Sequence, residues 1–339
     1  MTGANHSDQH AVSVRLDGVT KRFGNLTAVD DVSIEIPGGS FFSLLGPSGC
    51  GKSTTLRIVS GFEQPDSGRV MIGGEDVTSM EARKRPTAMV FQNYALFPHM
   101  TVGENVAYGL KVRRMSPGEI RKVVTDSLKS VDMEAFVDTP VTSLSGGQQQ
   151  RTALARAVAI EPKVILFDEP LSNLDVALRQ QTRGELKKLQ HRLGLTSIYV
   201  THDQEEALAL SDSIALMRDG KIVQMGSPEE LYASPKSAFV ASFLGGSNIV
   251  SSESHIRLFS GADVASGQVL SIRREHVVPN SEGKHKARVI DRQFLGMITE
   301  LTLEADGVEL KARVSGTVED ASELRFDITS SRPVLKDDD

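Results

Sequence analysis

The octapeptide Gly46-Pro47-Ser48-Gly49-Cys50-Gly51-Lys52-Ser53 constrains this fold more than any other stretch. It follows the apolar run Phe41-Phe42-Ser43-Leu44-Leu45 and precedes Thr54-Thr55-Leu56-Arg57-Ile58-Val59. That order reads as strand, tight glycine loop, helix. Glycines let backbone N–H groups turn inward, and the helix behind them points its positive dipole end into the same hollow. Such a hollow fits a phosphate chain. Lys52 can reach the β- and γ-phosphates, and Ser53 can place its hydroxyl on Mg²⁺. A glycine turn that carries lysine by chance has no need of a strand on one side and a helix on the other. The sequence therefore predicts an α/β fold that binds a nucleoside triphosphate.

At 339 residues the chain suits two domains rather than one core. A net charge of −6 argues against a nucleic-acid-binding surface. No segment approaches the roughly 20 uninterrupted apolar residues of a membrane span. Residues 1–10 are polar, lack the apolar core of a secretory signal and read as a disordered tail. The single cysteine, Cys50, excludes an intrachain disulfide and fits a reducing compartment, so the cytoplasm is the expected location. Its place among helix N-terminal N–H groups beside Lys52 is expected to favour thiolate.

Val12-Ser13-Val14-Arg15-Leu16 and Val32-Ser33-Ile34-Glu35-Ile36 alternate as half-buried strands do. Val164-Ile165-Leu166-Phe167 and Ser197-Ile198-Tyr199-Val200 are continuous apolar runs, the mark of central parallel strands covered on both faces. A helix-rich stretch occupies roughly 100–160. Ser116-Pro117-Gly118-Glu119 and Ser227-Pro228-Glu229-Glu230 read as capping boxes with proline at the first helical position. A boundary is expected near Gly245. Beyond it, five short strands (268–273, 286–291, 298–303, 308–314 and 324–328) predict a small β-barrel or sandwich. Asp337-Asp338-Asp339 reads as a solvated acidic tail.

Asp168-Glu169-Pro170 ends the apolar run at 164–167. Ligands of open parallel sheets bind at the carboxyl ends of strands. Asp168 there can hold Mg²⁺ through its water shell, and Glu169 can orient or deprotonate an attacking water. The other reading has one of these acids capping a helix after Pro170. His202 follows the strand at 196–201, in reach of a γ-phosphate, and Asp203 with Glu206 reads as a helix cap. Leu144-Ser145-Gly146-Gly147-Gln148 has capping-box form, but two glycines inside a first turn each cost about 1 kcal/mol against alanine. They make sense where bare N–H groups meet an anion, which gives a second phosphate-binding helix end.

The loop at 46–53, Gln92, Leu144–Gln148, Asp168-Glu169, Ser172-Asn173-Leu174-Asp175 and His202, in that order, resemble the ABC transporter ATPase family across roughly 12–245. The resemblance implies a P-loop NTPase domain (11–244) with a mostly parallel core sheet and a helical subdomain at about 93–158. It implies head-to-tail dimers with ATP and Mg²⁺ held between two copies. Gly46, Pro47, Ser48, Gly49, Cys50, Gly51, Lys52, Ser53 and Thr54 would wrap the phosphates, and Phe23 would stack on adenine. Ser53, Gln92 and Asp168 would complete the metal shell. Ser145, Gly146, Gly147 and Gln148 of the other copy would close on the γ-phosphate. Glu169 would be the general base, His202 would grip the γ-phosphate and Glu169, and Asp175 would link the two sites.

Ser271–Val277 and Phe294-Leu295-Gly296 resemble the OB-like regulatory domain (often called TOBE) of one importer group, placing it at 245–335 as an all-β domain. That group handles maltose, glycerol phosphate, polyamines, ferric iron or sulfate. Phe91–His99 is similar to its polyamine, iron and phosphonate branch. The implied partners are a second copy of the chain, two transmembrane permease subunits and, indirectly, a periplasmic or lipid-anchored solute-binding protein, at the cytoplasmic face of a bacterial inner membrane. A permease helix would dock beside Gln92. Tyr94, Leu96, Phe97 and Met100 either line that groove or belong to the core. The alternative function is a soluble ABC ATPase of DNA repair or translation. Those generally carry two cassettes or a coiled-coil insertion, neither visible here.

Overall fold

The computed structural model describes residues 11–318 and 321–337. The tail expected at 1–10 and the last two aspartates of the acidic end lie outside the described residues. The chain divides into two compact units, Met1–Pro228 and Glu229–Asp339.

The first unit opens with β1 (Val14–Phe23) and β2 (Leu26–Ile36), then β3 (Phe41–Leu45), α1 (Lys52–Ser60), β4 (Ser67–Ile72), β5 (Glu75–Asp76) and β6 (Thr87–Val90). Helices α2 (Val102–Val112), α3 (Pro117–Lys129) and α4 (Gly146–Ala159) follow. It continues with β7 (Val164–Asp168), α5 (Val176–Leu193), β8 (Thr196–Thr201), α6 (Gln204–Leu210), β9 (Ser213–Arg218) and β10 (Lys221–Gly226). Strands β2-β1-β4-β5 form an antiparallel sheet, as their alternation predicts. The central sheet has the order β10-β9-β3-β8-β7-β6 and is parallel except for the β9–β10 edge.

Every residue of β3 and β8 is buried, because both faces of the central sheet are covered. Phe42 and Leu44 face the core shared with α1 and the antiparallel sheet. Phe41 faces the opposite core, where its ring lies parallel to Phe167 at 6.4 Å and near Tyr199 at 5.7 Å. That second core also takes Val102, Val106 and Leu110 of α2 and Leu186 and Leu189 of α5. The Ser116–Glu119 capping box is present, and Thr101 with Glu104 makes another at the start of α2. Sheet order places the carboxyl ends of β3, β7, β8 and β6 side by side, and the predicted site residues follow those ends.

The second unit contains α7 (Pro228–Ala233), α8 (Ala238–Phe243), β11 (Asn248–Val250), α9 (Glu253–Ser260) and β12 (Gln268–Ile272). It ends with β13 (Val277–Pro279), β14 (His285–Phe294), β15 (Ile298–Ala305), β16 (Val308–Ser315), β17 (Glu323–Ile328) and β18 (Arg332–Leu335). These strands make a three-stranded sheet, β11-β12-β18, and a five-stranded one, β13-β17-β14-β15-β16. Alternation along β15 sends Leu301, Leu303 and Ala305 into a core with Leu310, Ala312 and Phe326. The division of the chain falls earlier than Gly245 because α8 packs on β11, β12 and β18. The Arg273 guanidinium adds to this by donating to the carbonyls of Leu244 and Tyr232. Helix α9 has no counterpart among the elements read from sequence.

Candidate nucleotide site

The loop after β3 needs its glycines for different reasons. A Cβ on Gly46 would lie 2.3 Å from the Met217 carbonyl oxygen, and one on Gly51 (φ 103°) 2.2 Å from that of Ala28. Two neighbouring backbones therefore press the loop into shape. Gly51→Ala is expected to cost about 2 kcal/mol or more through strain and overlap, read as a lower melting temperature. A variant as stable as the parent contradicts this seating.

Lys52 is 5% exposed and donates to the carbonyls of Gly46 at 2.8 Å and Pro47 at 2.9 Å. Its ammonium thus lies inside the loop, held by neutral carbonyls. Gly51 precedes α1 with no side-chain cap, which leaves the helix N-terminus to a ligand. An uncapped helix end, a folded glycine loop and a lysine held within it fit a phosphate chain. Pro47, Ser53, Thr54 and Gly51 are partly exposed, and Ser48 and Gly49 are open to solvent.

The Ser53 hydroxyl donates to Asp168 Oδ1 at 3.0 Å, bridging the start of α1 and the end of β7. A hydroxyl and a carboxylate so placed are hard oxygen donors of the kind Mg²⁺ takes. Glu169 has φ 46°, a conformation that costs a residue with a side chain free energy and clusters at functional sites. Its N–H donates to the Val200 carbonyl at 3.0 Å, and its Oε2 meets His202 Nδ1 at 3.0 Å. Neither Asp168 nor Glu169 caps the following helix, since α5 starts at Val176 and Asp175 caps it by accepting from the Leu178 N–H. The capping alternative for these acids is thereby removed. Asp203 caps α6, accepting from the N–H groups of Glu205 and Glu206. The carboxylate of Glu206 instead turns into the interior, where Tyr199 and Thr201 donate to it.

Gln92 is exposed beyond β6, and its amide donates to the Ser172 hydroxyl at 3.1 Å rather than to Ser53 or Asp168. Asn173 in turn donates to the Gln92 carbonyl. Phe23 is 47% exposed at the end of β1, with Lys21 Nζ 5.2 Å from its ring centre. Ser145 and Gln148 form a complete capping box at α4. The glycines between them also have a packing cause. A Cβ on Gly147 would meet Leu178 at 3.1 Å, and one on Gly146 would meet Leu174 at 3.3 Å. A side chain at either position would require those leucines to shift by a few tenths of an ångström. Among the described residues, no hydrogen bond or ion pair joins Ser145–Gln148 to the 46–54 loop, Glu169 or His202.

Tyr94 is buried at 5% exposure, and Leu96 packs on the same core, so both serve the interior. Phe97 is half-buried and lies 4.4 Å from the ring of Tyr108, which is exposed.

Cys50 corrects the expectation of a thiolate. Burial pushes its thiol up from the ordinary value, and the Lys52 charge opposes that without overcoming it. Alkylation of the folded protein is expected to be slow, and to speed up on unfolding. Modification at the rate of a free thiol at neutral pH would contradict the buried setting.

Sheet order, glycine loop and the acids at the strand ends define a P-loop ATPase. An ABC transporter family model matches residues 29–172. The chain is 45% identical over 316 residues to the Fe(3+) ions import ATP-binding protein FbpC of Escherichia coli O157:H7, covering 90% of this chain and 91% of that one. It is 54% identical over 236 residues to FbpC 1 of Pectobacterium atrosepticum, covering 70% and 67%. Among solved structures, a dimeric ATP-binding cassette in a post-hydrolysis state with ADP and Pi is 35% identical with a TM-score of 0.56, over 63% of this chain and 98% of that one. The chain belongs to the ABC transporter family, among its ATP-hydrolysing subunits, which use ATP with Mg²⁺. Among the described residues, no helix is long and apolar enough to cross a membrane.

Proposed function

We propose that this chain is the motor of a bacterial importer, working as a dimer in which each ATP lies between the P-loop of one copy and Ser145–Gln148 of the other. The observation that carries this reading is the pairing of Glu169 with His202 at 3.0 Å beside the Ser53–Asp168 bridge. Residues 46–54 hold the phosphates, and Phe23 offers its exposed ring to adenine. Ser53, Asp168 and Gln92 would hold Mg²⁺, which would screen phosphate charge when bound. Gln92 would join that shell by exchanging its bond to Ser172. Glu169 takes the proton of the attacking water, and His202 fixes the carboxylate and meets the γ-phosphate. The exposed Ser145 and Gly146 close the site from the second copy, and Asp175 meets that copy across the interface.

The permease docks beside Gln92, near Phe97 and Tyr108, at the cytoplasmic face of the membrane. The proposed cargo is ferric iron, supported by identity to ferric-import subunits across nine-tenths of the chain. The second unit carries the OB-like role. In vesicles holding the subunit with its permease and binding protein, iron-loaded binding protein is expected to raise ATP turnover about tenfold or more over the same protein without iron. Stimulation by a polyamine or a phosphonate instead would reassign the cargo.

A further inference from the structure

A polar network behind His202 has no part in the roles given so far. Its centre is Glu206, whose side chain is 3% exposed. Glu206 Oε2 accepts from the Tyr199 hydroxyl at 2.7 Å and from the Thr201 hydroxyl at 2.8 Å. Burial and the Glu206 charge both push the Tyr199 phenol well above its ordinary range, which keeps it a donor. A buried carboxylate needs a counter-charge, and Arg179 on α5 supplies one, with Nε 3.8 Å from Glu206 Oε1.

Arg179 does more than balance charge. One terminal nitrogen donates to the Leu174 carbonyl at 3.1 Å, just before Asp175. The other lies 3.3 Å from Asp203 Oδ2, just after His202. The Asp203 N–H in turn donates to the Thr201 hydroxyl at 2.9 Å. Both neighbours of His202 are therefore held by this network. The His202 side chain is 57% exposed and is steadied at its ring by Glu169. Its position depends on how Thr201 and Asp203 are fixed.

We infer that Arg179 is a positioning residue that sets His202 against Glu169 and ties that setting to the Ser172–Asp175 segment. The inference rests on the assignment of Glu169 and His202 above. The two terminal nitrogens of a planar guanidinium donate to Leu174 and Asp203 at once because they lie in a fixed fork, while its charge faces Glu206 at 3.8 Å without a hydrogen bond. Lysine keeps the charge and cannot span all three. A shift of Leu174 when a second copy meets Asp175 then moves the turn that carries His202.

The test is a double-mutant cycle on the full chain: parent, Arg179→Lys, His202→Ala and the double variant. Arg179→Lys is expected to lower kcat about tenfold with KM for ATP changed less than about twofold. With His202→Ala already present, the same substitution is expected to cost less than about twofold further. Asp203→Asn opens the same fork while keeping a capping side chain, and it should give the same pattern if the lysine variant folds poorly. An equal loss in both backgrounds, or full kcat in both fork variants, overturns the inference. Full turnover in His202→Ala alone would overturn the assignment of His202, and this inference with it.

Discussion

Replacing Glu169 with glutamine is expected to slow ATP hydrolysis by about 10²–10⁴-fold, the usual cost of losing a general base. Nucleotide binding should survive, because the P-loop contacts of Lys52 and the Ser53–Asp168 bridge do not involve this carboxylate. Glutamine keeps the shape of the side chain and can still hydrogen-bond His202. The loss is therefore chemical rather than structural. Single-turnover hydrolysis with radiolabelled ATP measures the chemical step apart from product release. Turnover within a few-fold of the parent would remove Glu169 from the role of base.

The second large effect is expected at Ser145. Arginine there places a long cation on the exposed face proposed to close over the γ-phosphate of a second copy. Hydrolysis should fall by about 10²-fold or more, the scale seen when a group that stabilises transition-state charge is removed. Binding of ATP to the isolated chain should be unchanged, since no contact joins Ser145 to the P-loop within one copy. Ser145 also caps α4, so the variant loses a cap worth about 1 kcal/mol. Ser145→Ala loses the same cap and the same hydroxyl without the bulk, so the further fall in the arginine variant reads the bulk and charge alone. Weak ATP binding by the isolated arginine variant would mean that the two stations meet within one chain.

Much of this was legible because the informative residues sit at fixed offsets from strong local signals. The apolar runs at 164–167 and 197–200 predict central strands whose carboxyl ends lead into Glu169 and His202, and the run at 41–45 predicts the strand before the loop that ends at Lys52. Helix boundaries followed from side-chain chemistry, as at Ser116 and Ser145. Local sequence says less where tertiary surroundings decide. Cys50 looked like a thiolate from its neighbours along the chain, but burial governs its thiol. Glu206 looked like the second half of a helix cap at the right spacing. The fold turns it inward to two hydroxyls of β8, whose polar residues gave no sign of needing an acceptor. Gly146 and Gly147 suit bare backbone, and the packing adds that a Cβ on Gly147 would crowd Leu178 of α5, while one on Gly146 would crowd Leu174 just before it. Arg179 stood out in no pattern because its partners are spread over 174–206 and meet only in three dimensions.

One ATP site is proposed to be built from two copies of the chain. Light scattering on the Glu169→Gln variant tests it most directly. With ATP and Mg²⁺ the mass should shift to twice that of one chain, with two nucleotides retained per dimer. Adding Ser145→Arg to that variant should abolish the shift while each chain still binds ATP. A single-chain mass at saturating ATP, or an ATP-driven dimer indifferent to Ser145→Arg, would rule out a site shared between two copies.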